Sequence, residues 1–169
     1  MYKFVRLNKL KIYLDTSIIN FLFADDVPEL KAATIDLFEN FIKNGVYETY
    51  ISEYVLLEIN KTSDSKKKEK LLEVVEKYPV ELLEIIQKAN IEFLADTYIQ
   101  NNIIPVNKKL DALHIAVATV SEINYVVSWN YKHLANVNRE KKIIAINVQY
   151  NYLYPLRICT PLELLDYGN

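Results

Sequence analysis

Lys11-Ile12-Tyr13-Leu14-Asp15-Thr16-Ser17 is the stretch on which the fold turns. An apolar run ends in an acid and two hydroxyls, the pattern of a buried strand handing over to a helix. Thr16 and Ser17 offer the capping oxygens, and Asp15 stands just past the strand's carboxyl end. Ligand sites of parallel α/β sheets lie at that place.

Outward from this strand, apolar segments alternate between two periods. Leu30, Ala33, Leu37, Phe38, Phe41 and Ile42 recur at helical spacing, with Pro28 in a first turn and Gly45 placed as terminator. Tyr47 to Ile51 is a short strand, and Ser52 caps a helix through Ile59. Asp64 to Tyr78 is a charged amphipathic helix stopped by Pro79. Val80 to Ile85 is a third strand or a helix. Ile91 to Gln100 and Lys108 to Glu122 are helices separated by Pro105. Tyr125 to Trp129 is a strand, Arg139 to Val148 a helix, Arg157 to Thr160 a last strand and Pro161 to Leu165 a short helix. Strands alternating with helices predict an α/β layer fold with a mostly parallel sheet. Met1 to Leu10 is an N-terminal extension or edge strand ahead of a single domain over 11–167.

Composition narrows the function classes. The chain has 169 residues, two of them glycine (Gly45 and Gly168), so it has no glycine cluster for a P-loop or dinucleotide fingerprint. A single cysteine, Cys159, excludes an internal disulfide and a thiolate zinc cluster. A net charge of −2 and a pI near 5.8 give no bulk attraction for a polyanion, so a nucleic-acid substrate needs a local basic patch, a bound metal or both. No apolar stretch approaches the ~20 residues of a membrane span. No secretory pattern is visible either, and a cytoplasmic protein without membrane contact is expected.

Four oxygen-bearing positions carry the chemistry. Asp15 is readable as a helix N-cap, although Thr16 and Ser17 already supply caps. Glu58 lies roughly 140° around its helix from the polar Glu53, beside Val55 and Ile59. A carboxylate there is costly unless paired, protonated or metal-bound. Asp111 suits a helix N-terminus electrostatically, yet its turn-mates Ile115 and Ala118 belong to an inward stripe. Asn130 ends a buried strand and is either a turn residue or an amide near a metal. Together, in strand-end, helix, helix, strand-end order, they suit a hard divalent cation and phosphodiester hydrolysis.

With these pieces in view, the sequence resembles the PIN-domain family of metal-dependent nucleases, including the VapC-type toxins of toxin–antitoxin pairs. The resemblance rests on Ile12 to Ser17, Ile51-Ser52-Glu53 running on to Leu57-Glu58-Ile59, Asp111-Ala112-Leu113-His114-Ile115-Ala116, Ser128-Trp129-Asn130-Tyr131-Lys132-His133-Leu134, and Thr160 to Leu165. It implies a three-layer α/β/α fold around a central, mostly parallel sheet. Asp15, Glu58 and Asp111 match the family's principal acids. The fourth position, often aspartate, is Asn130, as in the subset with a Ser-Trp-Asn motif, which leaves one charge fewer for a second metal.

The resemblance further implies an endoribonuclease using Mg2+ or Mn2+, with RNA as substrate, products bearing 5′-phosphate and 3′-hydroxyl ends, and an antitoxin protein as candidate partner. A homodimer is expected as well. Asp15 and Asp111 are the expected direct ligands, Glu58 a ligand or base for the attacking water, and Asn130 an orienting group. Thr16, Ser17, Ser128, Lys108, Lys109 and Lys132 are the expected substrate contacts. The lysine run Lys61, Lys66, Lys67, Lys68 and Lys70 reads more simply as a solvated helix face. His114 is within reach of Asp111 one turn away, or is a packed histidine, and His133 is similar. Trp129 and Tyr131 are base-stacking or core aromatics, and Cys159 a buried hydrophobe. Ser17, where a second aspartate would stand, argues against an aspartate-nucleophile phosphatase. A phospho-receiver domain leaves Glu58 and Asn130 unused. The non-enzymatic rival is a PIN-like binding module with a degenerate metal site.

Overall fold

The computed structural model describes residues 8–130 and 136–166. Met1 to Leu7, Tyr131, Lys132 and His133 lie outside them, and with them most of the expected N-terminal edge strand, whose described residues 8–10 form no strand. Among the described residues are five strands: β1 (Lys11–Leu14), β2 (Glu48–Ile51), β3 (Val80–Leu82), β4 (Tyr125–Val127) and β5 (Arg157–Cys159). They form one sheet, in the order β3-β2-β1-β4-β5, and every pairing is parallel. The α-helices are α1 (Thr16–Phe21), α2 (Pro28–Asp36), α3 (Glu53–Asn60), α4 (Ser65–Lys77), α5 (Lys88–Gln100), α6 (Lys109–Val120), α7 (Val137–Gln149) and α8 (Pro161–Asp166). None is long and apolar enough to cross a membrane.

Parallel strands need crossover connections, and the helices in those connections cover the sheet, so central strands carry apolar runs instead of alternation. Ile12, Tyr13, Leu14, Val126 and Val127 are fully buried for that reason. Helices α1 to α4 pack on one another, as do α5, α6 and α7, and α6 meets both β4 and α3. Residues Ala112 to Thr119 of α6 are all buried, the mark of a helix wrapped on every side.

The order of the strands fixes where a site forms. From the central β1 the chain winds outward through β2 to β3, then returns to the other side of β1 with β4 and β5. That reversal opens a crevice beyond the carboxyl ends of β1 and β4. Register keeps those ends level: Leu14 pairs with Val127, and Val127 with Cys159. The residues that follow, Asp15 and Ser128, are therefore neighbours.

Three local expectations need correction. Asp15 is itself the N-cap of α1, its side chain accepting from the Ile18 N–H at 3.4 Å. Thr16 and Ser17, expected as caps, are turned to other partners. The helix from Pro28 does not run evenly to Ile42: Leu37–Ile42 widens into a π-helical turn, with the Lys43 N–H bonded to Phe38 O at 2.9 Å. Gly45 follows with φ +64° and helps turn the chain toward β2. The third strand is only Val80–Leu82, because β3 is an edge with one partner.

Candidate active site

Asp15 is 4% exposed at the end of β1. Its Oδ2 accepts from Ser128 Oγ at 2.6 Å, and its Oδ1 from Ser17 Oγ at 2.5 Å. Ser17 Oγ in turn accepts from the Trp129 N–H at 2.9 Å, and Ser128 Oγ from the Asn130 N–H at 2.9 Å. The hydroxyls thus lace the end of β1 to the end of β4. Burial pushes the Asp15 carboxyl above its ordinary range, outweighing the nearby His114 and the hydrogen bonds from Ser128, Ser17 and Ile18 that pull it down. No lysine or arginine among the described residues forms an ion pair with it.

The other two acids arrive on helices. Ser52 ends β2 and caps α3 through the Tyr54 N–H, and α3 then carries Glu58 to the α3–α6 contact. Glu58 Oε2 accepts from Thr16 Oγ1 and lies 2.9 Å from His114 Nε2. Burial raises this carboxyl, but the bond from His114 and the bond from Thr16 overcome that, and the net direction is downward. Asp111 occupies the first turn of α6, where the helix dipole favours a carboxylate. Asn130 Nδ2 donates to Asp111 Oδ2 at 3.2 Å.

All four positions line one cleft of ≈ 360 Å³. Thr16, Ser17 and Lys108 line it too, as do His114 and Asn20. Its donors are almost wholly oxygen: three carboxylates, amides and hydroxyls. That set, with a buried carboxylate lacking any cationic partner among the described residues, suits a hard divalent ion. Among the described residues, no three acidic, histidine or cysteine side chains stand as they are at metal-holding spacing. Hydroxyls, an imidazole and an amide satisfy the carboxylates instead.

Other expected contacts are not brought here. Ser128 is fully buried behind Asp15 and is a support, not a substrate contact. Lys109 pairs with Asp96 at 3.0 Å on an exposed surface and does not line the cleft. Trp129 is core: its ring stacks on Phe21 and its Nε1 donates to Thr34 Oγ1 at 2.8 Å. His114 takes Glu58 as partner, not Asp111. The signal for that contact was the inward stripe of α6, which carries His114 toward α3, but only the packing of the two helices names the acid. Asn20, whose Nδ2 donates to Thr16 O, had no sequence signal beyond its place one turn past Thr16. Cys159 is buried, and burial pushes its thiol up to about 12.

The all-parallel sheet, its strand order and the acids at its switch point define an α/β protein of PIN-like fold. The chain is similar in structure to VapBC2 from Rickettsia felis bound to a DNA fragment from their promoter, with TM-score 0.56 and 16% identity over 88% of this chain and 98% of that one. It is similar also to DNA-bound VapBC from Salmonella typhimurium, with TM-score 0.55 and 22% identity over 90% and 98% of the two chains. No family model matches the sequence, and no curated protein does. At such identities the likeness is one of fold.

Proposed function

We propose that this chain is a divalent-cation-dependent endoribonuclease, the toxin of a type II toxin–antitoxin pair. One observation carries the reading: Asp15, Glu58, Asp111 and Asn130, distant in sequence, line a single cleft at the switch point of the sheet. The fold shared with chains of VapBC complexes supports the toxin assignment and, through it, an antitoxin partner.

Asp15, Asp111 and Glu58 would hold Mg2+ or Mn2+. Such a cation supplies neutralisation of charge on the phosphate and makes a water molecule more acidic. The chain's own groups do the rest. Ser17 and Ser128 fix both oxygens of Asp15, so that carboxylate meets a ligand without rotating. Asn130 orients Asp111. Glu58, its carboxyl pulled down by His114 and Thr16, is ionised at neutral pH and suited to act as a further ligand. Lys108 offers a cation to the RNA backbone, a local contribution that the net charge of −2 does not supply.

A second reading has one observation in its favour. Asp15, Glu58 and Asp111 already accept hydrogen bonds from neighbouring side chains, and among the described residues no three acidic, histidine or cysteine side chains stand at chelating spacing, as in a binding module with a degenerate site. RNA cleavage assayed with Mg2+, with Mn2+ and with EDTA separates the two. The nuclease reading expects cleavage only with the cation, 5′-phosphate ends, and loss of at least about a hundredfold in Asp111→Asn, the scale of a transition-state charge contact. Cation-independent binding without cleavage favours the module.

A further inference from the structure

Behind Glu58 runs a chain of polar groups of which the proposed chemistry uses only the last, His114. Ser52 Oγ lies 2.7 Å from Tyr13 Oη, and Tyr13 Oη lies 2.6 Å from His114 Nδ1. The other imidazole nitrogen, Nε2, lies 2.9 Å from Glu58 Oε2. Ser52 and Tyr13 are fully buried and His114 is 1% exposed, so each hydrogen must find an acceptor within the chain.

Counting hydrogens fixes the direction. Ser52 Oγ already accepts from the Tyr54 N–H at 3.3 Å. Among the described residues, its own hydrogen has one acceptor within reach, Tyr13 Oη. Tyr13, accepting there, gives its hydrogen to His114 Nδ1. The imidazole then carries its proton on Nε2, pointed at Glu58. The reverse direction would strand the Ser52 hydroxyl without an acceptor in a dry interior.

The relay ties β1, the end of β2, α6 and α3 together under the site. It also divides the labour of one carboxylate. Both bonds to Glu58, from His114 and from Thr16, fall on Oε2, and among the described residues Oε1 accepts none. We propose that His114, locked as the Nε2–H tautomer by Tyr13 and Ser52, is the positioning residue for Glu58, fixing Oε2 so that Oε1 is presented to a divalent cation. This inference rests on the metal-site reading above. Groups that fasten a ligand's second oxygen change metal affinity about ten- to a hundredfold when lost.

Mn2+ binding, read from the free-ion EPR signal, tests it without recourse to activity. An asparagine at 114 reaches Tyr13 but not Glu58, whereas a glutamine carries an amide N–H to about the place of Nε2. The expected result is Mn2+ affinity about tenfold weaker in His114→Asn and within about threefold of wild type in His114→Gln, with similar melting temperatures. Wild-type affinity in a folded His114→Asn overturns the inference while leaving the metal reading intact. Absence of saturable Mn2+ binding by the wild type overturns both. Imidazole 15N shifts give an arm that needs no metal and no change at His114. The wild type should show the Nε2–H tautomer, and Tyr13→Phe a mixture. An Nδ1–H tautomer in the wild type refutes the relay.

Discussion

Asp15 combines two roles that its sequence position presents as alternatives. It caps α1 through the Ile18 N–H, and it presents a buried carboxylate held by Ser17 and Ser128. Asparagine is as good a cap as aspartate, so Asp15→Asn separates the roles. Without metal, the variant should melt at or above the wild-type temperature, since an amide in that place has no charge to desolvate, and it should cleave no RNA. A loss of more than about 2 kcal/mol in a denaturant melt would make the carboxylate structural instead. Each of the four candidate positions stood out as a polar residue where an apolar one would pack, but each also had a plain structural reading, and only their order along the chain suggested a site. His114 was not legible in its role. Its helix, α6, is buried on all sides, so periodicity alone cannot say which of its neighbours a side chain faces.

Apart from Gly45, the described left-handed positions are not glycine, and the consequences are local. Helix α6 closes with Glu122 at φ +52°, its N–H bonded to Thr119 O at 3.2 Å and that of Ile123 to Ala118 O at 3.0 Å. Asparagine fills the other described non-glycine left-handed positions, Asn102 and Asn151, and tolerates them better than glutamate does. Glu122→Gly should therefore stabilise by about 0.5–1 kcal/mol, read as a higher denaturant midpoint with unchanged slope. The edge strand β5 is closed by a side chain. Buried Glu140 of α7 accepts from the Ile158 N–H at 2.7 Å and from Arg157 Nε at 3.0 Å, covering a backbone donor that an edge would expose. Glu140→Ala should cost about 1–3 kcal/mol and speed hydrogen exchange at Ile158; unchanged exchange there would refute this role. In the π-helical turn, the hydrogen bond from Lys43 and then that from Tyr78 hold the Glu39 carboxyl down at about 2. A depressed carboxyl contributes stability above its ordinary 4.5 and loses it as pH falls toward about 2. The melting-temperature gap between wild type and Glu39→Gln should close over that window; a gap that persists below it would assign the effect to packing.

At the scale of the whole molecule, three carboxylates from β1, α3 and α6 are held in one cleft by folding, and a cation that binds only the folded state must stabilise it. At Mn2+ a hundredfold above its dissociation constant the gain is about 2.7 kcal/mol. A thermal shift of that order is expected in the wild type and not in Asp15→Asn; equal shifts in both would locate the ion elsewhere. The sequence by itself determined the alternation of strands and helices, the burial of β1 and β4, and the candidate acids, because those depend on period and on the cost of polar groups in apolar runs. It also carried the family resemblance through short motifs in order. What only the tertiary structure decided was pairing: that β4 lies beside β1, that His114 meets Glu58, that Ser128 supports Asp15 from behind, and that Lys109 turns away to Asp96. Such contacts join residues up to 113 positions apart, as from Asp15 to Ser128. No local period encodes them. They are set by which faces of packed elements meet at the switch point of the sheet.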